Sequence, residues 1–532
     1  MTCPKWLRPG AVAFVALWCV LLIGGRSSFF RDPGTFWHVA TGNRILADGF
    51  IRSDPYTFTF PGTWWVPYQW LGEVAMALAH RVGGFDALLL GAATILAAVY
   101  SWLFTRLLRT GLNPALAGAA IALALAASSS HFHVRPHLFT IAAMAVTMAI
   151  LVDVDSGRAS LRRLAWLVPL VVVWTNIHGG ALGGIATVGI VTTGWVVARR
   201  VGLPSPVRTP SDAAWALGVA VGCVVAPLVN PYGLDMLKTW HIIMGEPILK
   251  QIIQEHSPLD LAEPYAWPVI GFGALYLTLL TGVSWRELRV SWLVPLIWLV
   301  LACDRVRHAP LFAVVGLVGA AAVWPHTRWA KWLARARPDL YVPVTAPPRT
   351  FWVASLVLPV VVVVGAFAVQ AMGVVVPLVG AGWARHDPRH WPVELLDVLK
   401  ENEPHSCTGS HLFNDYIDGG FVIYHAPGYK VFVDDRCEVF GGDWLLAFVR
   451  ASSEETAAAI HDWEHRYGAF DFALTRAGTG FEEYFATASN WALVKRTDTA
   501  AFYRRKRAYP PDPIRAVYPG QVETKARAPY PE

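Results

Sequence analysis

Apolar residues in this chain fall into long unbroken runs over its first two-thirds, and into shorter mixed segments after that. The hydrocarbon core of a bilayer takes roughly 20 apolar helical residues to cross. Runs near 10–25, 84–105, 114–129, 138–153, 164–176, 181–198, 213–229, 266–282, 291–303, 309–324 and 351–379 are candidates, the shorter ones completed by their neighbours. The run at 10–25, preceded by Lys5 and Arg8, reads as a signal anchor that stays as the first helix. The segment 68–82 is amphipathic and reads as a helix lying along the interface. From Gly382 the pattern changes. Helices are expected at 391–401, 444–450 and 453–467, strands at 430–433 and 470–474, and a hairpin from 491–495 and 500–504. The predicted fold is a polytopic α-helical membrane protein with about 11 transmembrane helices (residues 1–380, first outer loop 26–69). A small exported α/β domain follows at 381–508, then a disordered tail at 509–532 rich in Pro, Arg and Lys.

Composition supports this reading. Of 532 residues, 55% are hydrophobic and only 15% charged, too few charges to cover a soluble surface of that size. The 25 Trp residues suit a protein with two membrane–water interfaces. The net charge of +6 sits in short loops between apolar runs, which makes it a topology signal and excludes a nucleic-acid footprint. With the N-terminus in the cytoplasm, the inner loops carry Arg106/Arg109, Arg158/Arg162/Arg163, Arg199/Arg200/Arg208, Arg286/Arg289 and Arg328/Lys331/Arg335/Arg337. An odd number of spans then exports the C-terminal domain, across what reads as a bacterial inner (cytoplasmic) membrane. Cys407 and Cys437 share that domain and are the pair an oxidising compartment would allow to bridge.

The opposite loops are chemically richer. The first begins Arg31-Asp32-Pro33 and continues through His38 to Asp54-Pro55. Asp32, His38 and Asp54 are candidates for acid–base chemistry, and Asp32 for a hard cation; the plainer alternative makes the two Asp-Pro pairs turns and caps. His131-Phe132-His133-Val134-Arg135-Pro136-His137 separates the third and fourth runs. Extended backbone would set His131, His133 and Arg135 on one side, for a divalent metal or an anionic headgroup, or as an interfacial anchor. Asn176-Ile177-His178-Gly179-Gly180 is a tight reversal whose His needs a wet or paired site. Asp304, Arg305, Arg307 and His308 separate the ninth and tenth runs, and guanidinium forks there suit phosphate, or an internal ion pair.

Asp32-Pro33 with Thr41 and Gly49 following resembles the GT-C superfamily of membrane glycosyltransferases, most of all oligosaccharyltransferase catalytic subunits. The segments Asn414-Asp415-Tyr416-Ile417-Asp418-Gly419-Gly420 and Val433-Asp434-Asp435-Arg436 resemble a diverged form of that family's exported motif. No Trp-Trp precedes Asp415, and histidines stand where the family has an acidic metal-binding pair. The combination also looks like a set of bacterial membrane proteins grouped with lipid-linked-sugar glycosyltransferases. The resemblance implies transfer of a sugar from a polyprenyl-phosphate-linked donor to an extracytoplasmic acceptor. Asp32 would be the base or a metal ligand with His131 and His133. Arg135, His137, Asn176, His178, Arg305, Arg307 and His308 would line the substrate site, with Asp415 and Asp434 covering it. The rival reading is a non-catalytic transporter or scaffold for envelope polysaccharide or lipid-linked sugar, with polar groups spread through the bilayer depth.

Overall fold

In an apolar solvent every backbone polar group must be paired within the chain, so each long apolar run becomes a helix. The computed structural model describes residues 8–245, 254–340, 349–404 and 410–506. All eleven apolar runs are helical in it: α1 (Pro9–Ser28), α3 (Trp70–Leu108), α4 (Pro114–Ser128), α5 (His137–Asp155), α6 (Leu167–Ile177), α7 (Ala181–Arg200), α8 (Pro210–Val225), α10 (Ala266–Thr281), α11 (Val294–Asp304), α12 (Ala309–Val323) and α14 (Arg349–Ala371). Two shorter helices intervene, α2 (Gly34–Asp48) and α9 (Leu234–Gly245), as does the basic helix α13 (Arg328–Ala336). Among the described residues seven helices are long and apolar enough to cross a membrane, and three more are apolar but shorter. The chain is an integral membrane protein.

Helix α3 is two helices in one. Gly83 and Gly84 leave helical geometry, and Gly84 takes φ 62°, which favours glycine. The break separates the segment read as interfacial from the span that follows. At the centre, α12 is buried on all sides, as an all-apolar helix must be. The two ends of the bundle differ. At one, Arg106 and Arg158 both bond Asp153, at 2.7 and 2.9 Å. At the other lie His131, His137, His178 and Arg305. Helix α5 alone, running from His137 to Asp155, separates them by about 28 Å at 1.5 Å per residue.

The C-terminal unit is a five-stranded sheet in the order β2-β1-β3-β5-β4, from β1 (Ser410–Asn414), β2 (Tyr429–Val431), β3 (Phe472–Arg476), β4 (Trp491–Arg496) and β5 (Ala500–Arg505). Strand β1 runs parallel to both its neighbours, β2 and β3, and β5 pairs antiparallel with β3 and β4. Helices α15 (Leu396–Glu401), α16 (Gly419–His425), α17 (Cys437–Phe440), α18 (Gly442–Ala451), α19 (Thr456–Tyr467) and α20 (Gly480–Thr487) cover it. The sequence pattern did not predict β1, α16 or α20. Cys407 and residues 509–532 lie outside the described residues, and Cys437 is a free thiol.

The first outer loop is not an open loop. It holds α2, and residues beyond it dock on the sheet edge, where Phe58 N–H donates to Val431 O at 3.2 Å and Val431 N–H to Tyr56 O at 3.1 Å. Trp37, Ile51, Phe58 and Trp65 of this loop share one apolar core with Leu412, Phe432 and Phe440 of the C-terminal unit. Burying each such side chain contributes about 1.5–3 kcal/mol, so loop and sheet form one body over the His-rich end of the bundle.

Candidate functional site

Where that body meets the bundle, a cavity of 740 Å³ opens, a size that holds a small-molecule headgroup. Each element that reaches it does so at a helix end or a turn. Asp32 and Trp37 come from the first loop; His131, His133, Arg135 and His137 from the turn between α4 and α5; His178 from the turn between α6 and α7. Glu255 and His256 precede α10, Arg305, Arg307 and His308 join α11 to α12, and Tyr416, Asp435, Arg436 and Glu438 come from the C-terminal unit. Residues about 400 positions apart in sequence thus face one space.

Arg135 organises the acidic side. Its Nη1 donates to Asp32 Oδ2 at 2.8 Å and to Glu255 Oε1 at 3.4 Å. Gly34 N–H donates to Asp32 Oδ1 at 2.7 Å, so both Asp32 oxygens are engaged. Burial would raise the Glu255 carboxyl, but Arg135 and Arg307 take it down to about 2. On the opposite wall Arg307 Nη1 donates to His256 Nε2 at 2.6 Å. Burial, reinforced by Arg307, lowers His256 to about 3, so it accepts this bond as a neutral ring. Among the described residues no carboxylate comes within ion-pair distance of Arg307.

His178 has a fixed tautomer. The backbone N–H of Gly180 donates to its Nδ1 at 2.9 Å. Thr140 Oγ1, which accepts from Trp174 Nε1 at 2.7 Å, lies 2.9 Å from the same nitrogen. A nitrogen that accepts carries no proton, so the proton sits on Nε2. Burial and the neighbouring His137 hold the ring well below the usual imidazole range, hence neutral. His178 therefore offers a neutral N–H to the cavity.

Other sequence-predicted residues have structural surroundings. His38 is fully buried against Glu73, Nδ1 to Oε1 3.0 Å, and does not line the cavity. Asp54 caps its own turn through the N–H groups of Tyr56 and Thr57 and accepts from Arg436 Nη2 at 2.8 Å. Asn176 accepts from Trp70 Nε1 at 2.7 Å and donates to the Val172 and Val229 carbonyls. Asp415 accepts from Arg476 N–H at 2.6 Å, and Asp434 grips Arg436 with both oxygens at 2.8 and 2.6 Å. Because successive side chains diverge, it is Asp435, not Asp434, that reaches the cavity. Trp37 Nε1 donates to Asp435 Oδ1 at 2.7 Å. Asp435, Glu255, His256, Tyr416 and Glu438 were missed as site residues; the Asp-Asp-Arg run was the signal that could have found the first.

Of the residues read as possible metal ligands, Asp32 is held by the Arg135 guanidinium, while His131 and His133 lie with ring centroids 5.8 Å apart. Among the described residues no three His, Cys, Asp or Glu side chains gather as a metal-binding group.

No family model and no curated protein matches the chain. Among solved structures it is similar to the oligosaccharyltransferase AglB of Archaeoglobus fulgidus, in complex with an inhibitory peptide and a dolichol-phosphate. That likeness has 14% identity and TM-score 0.47 over 88% of this chain and 69% of that one. It is also similar to ArnT of Cupriavidus metallidurans bound to undecaprenyl phosphate, with 14% identity and TM-score 0.49 over 92% of this chain and 97% of that one. These are likenesses of overall arrangement, and the chemistry proposed below rests on the site's own residues.

Proposed function

We propose that the chain is a GT-C-type membrane glycosyltransferase that moves a sugar from a polyprenyl-phosphate-linked donor to an acceptor outside the cytoplasm. One observation carries this reading. Arg135, Arg305, Arg307 and the neutral N–H of His178 converge on a single cavity at one end of an apolar bundle. A phosphate ester is the ligand this set suits. When the bond between the sugar's anomeric carbon and the phosphate oxygen breaks, negative charge grows on that oxygen. Preorganised guanidinium and N–H donors away from bulk water stabilise that growth. Arg307 is the strongest candidate for direct contact, because its hydrogen-bond partner is a neutral imidazole and, among the described residues, no carboxylate lies within ion-pair distance of it. Asp32 acts through Arg135, fixing the direction of its fork. Ile243, Met244 and Leu311 give the same cavity apolar surface for the lipid.

The basic loops support placing the opposite end of the bundle in the cytoplasm of a bacterial cell, which exports the cavity and the C-terminal unit. The transporter or scaffold reading needs polar groups along the membrane depth, and the central helix α12 has none.

The test is reconstitution in proteoliposomes with a panel of polyprenyl-phosphate sugars. Transfer from at least one, reduced at least ~100-fold in Arg307→Ala, is expected, the loss of a well-placed charge-stabilising donor. A well-folded wild-type protein that neither transfers from any donor nor binds polyprenyl phosphate would overturn the reading.

A further inference from the structure

Glycosyl transfer needs a group that takes the acceptor's proton, and six carboxylates are close enough to consider. Asp32 has both oxygens engaged by Gly34 N–H and Arg135. Glu255 is paired to Arg135. Asp434 and Asp54 are bound to Arg436. Glu438 accepts from Trp65 Nε1 at 2.9 Å and faces Cys437 Sγ at 3.9 Å. Asp435 differs from all of these: Trp37 holds Oδ1, and among the described residues no side chain donates to Oδ2.

Its backbone is also the most firmly held around the cavity. The next residue, Arg436, has a fully buried side chain, bonded to Asp434 and Asp54 and packed over Tyr56 and Trp65 at 4.9 and 4.5 Å. Trp37, on α2, fixes the carboxyl from the other side. A side chain held this way costs little to orient when a substrate arrives.

Resting on the transferase reading, we propose that Asp435 is the proton acceptor for the incoming nucleophile, and that Asp32 is a positioning residue. In the step, Asp435 Oδ2 takes the proton of the acceptor's O–H or N–H group. That atom's electron pair forms the new bond to the anomeric carbon, and the carbon–oxygen bond to the phosphate breaks. Its electrons remain on the phosphate, facing Arg307 and the His178 N–H. The environment suits the task, since burial and the nearby charge of Asp32 push the Asp435 carboxyl well above the usual carboxylate range. A carboxylate raised in this way is a stronger base than an ordinary one. The titratable and charged groups facing it are Asp32 of the first loop, Arg135 of the α4–α5 turn, Tyr416, and Asp434, Arg436 and Cys437 of its own segment.

The experiment compares wild type, Asp435→Asn, Asp435→Glu and Asp32→Asn in proteoliposomes, with polyprenyl phosphate binding measured beside transfer. Asp435→Asn should lose at least ~100-fold in kcat while binding polyprenyl phosphate within about threefold of wild type, the tolerance of a contact not made to the phosphate. Asp435→Glu should recover part of the rate with a displaced pH profile, and it carries the test if the Asn variant does not fold. Asp32→Asn should weaken binding itself, because Arg135 is released. Wild-type kcat in a folded Asp435→Asn variant, or an unshifted profile with full rate in Asp435→Glu, would overturn the inference and leave the transferase reading intact. A wild type that neither binds nor transfers would instead bring down that reading.

Discussion

Two arginines on one cavity, Arg436 buried and Arg307 half-buried, mark the difference between architecture and chemistry. Arg436 is sealed from water with two carboxylates on its guanidinium and two aromatic rings against it. Arg307 has a neutral imidazole for a partner. Burying a charge is tolerable when it is paired and bonded, and costly when it is not. The charge of Arg436 is thus compensated from within, tying the first loop to the C-terminal sheet. In the proposed reading, Arg307 and the His178 N–H are instead completed by the phosphate that binds there. A residue's type does not separate the two roles; its compensation does.

The sharpest way to break the comparison is to remove Arg436. Arg436→Ala leaves Asp434 and Asp54 buried without their cationic partner and should destabilise the C-terminal unit by about 3–5 kcal/mol. Thermal unfolding of purified protein would show it as a large fall in midpoint. Arg307→Ala should unfold at nearly the wild-type temperature yet bind polyprenyl phosphate about 10- to 150-fold more weakly, the value of a hydrogen bond to a charged group. Similar behaviour of the two variants would erase the distinction. Arg305→Lys keeps a charge but loses the fork, and should weaken binding by less than Arg307→Ala.

A smaller effect concerns pH. Burial lifts the Asp415 carboxyl to about 7 from an ordinary value of 3.8, outweighing its bond from Arg476 N–H. Its folded value lies above its unfolded one, so its contribution is fully present below about pH 4 and is lost as pH rises through about 7. Asp415→Asn should flatten the stability–pH curve of the C-terminal unit across that window. A curve unchanged by the substitution would remove Asp415 as its source.

Much of this was legible in the sequence, for physical reasons. Long apolar runs have one outcome in hydrocarbon, and the asymmetry of Lys and Arg separated a plain end of the bundle from a chemically diverse one. Asp32, Arg135, His137, His178, Arg305, Arg307 and His308 do line one cavity. What escaped was set by tertiary contact. Gly419 and Gly420 begin α16 pressed against neighbouring backbone, where an added Cβ would come within 2.1 Å of Val433 O at the first position and 2.3 Å of Pro33 O at the second. Strand β1 is five residues long and lies parallel between two partners distant in sequence, so no hairpin signal announces it. His38, Asp54 and Asn176 were plausible site residues by type, yet each is engaged in local contacts away from the cavity. Asp434 and Asp435 differ only in direction, which sequence does not record.

The account's central claim is that the cavity holds a lipid-linked phosphate, and a cryo-EM structure with polyprenyl phosphate bound tests it most directly. The account predicts phosphate oxygens about 3 Å from Arg307 and from His178 Nε2, with the lipid chain along Ile243 and Met244. Phosphate bound instead at the basic end of the bundle, by Arg162 and Arg163, with the cavity empty, would contradict it.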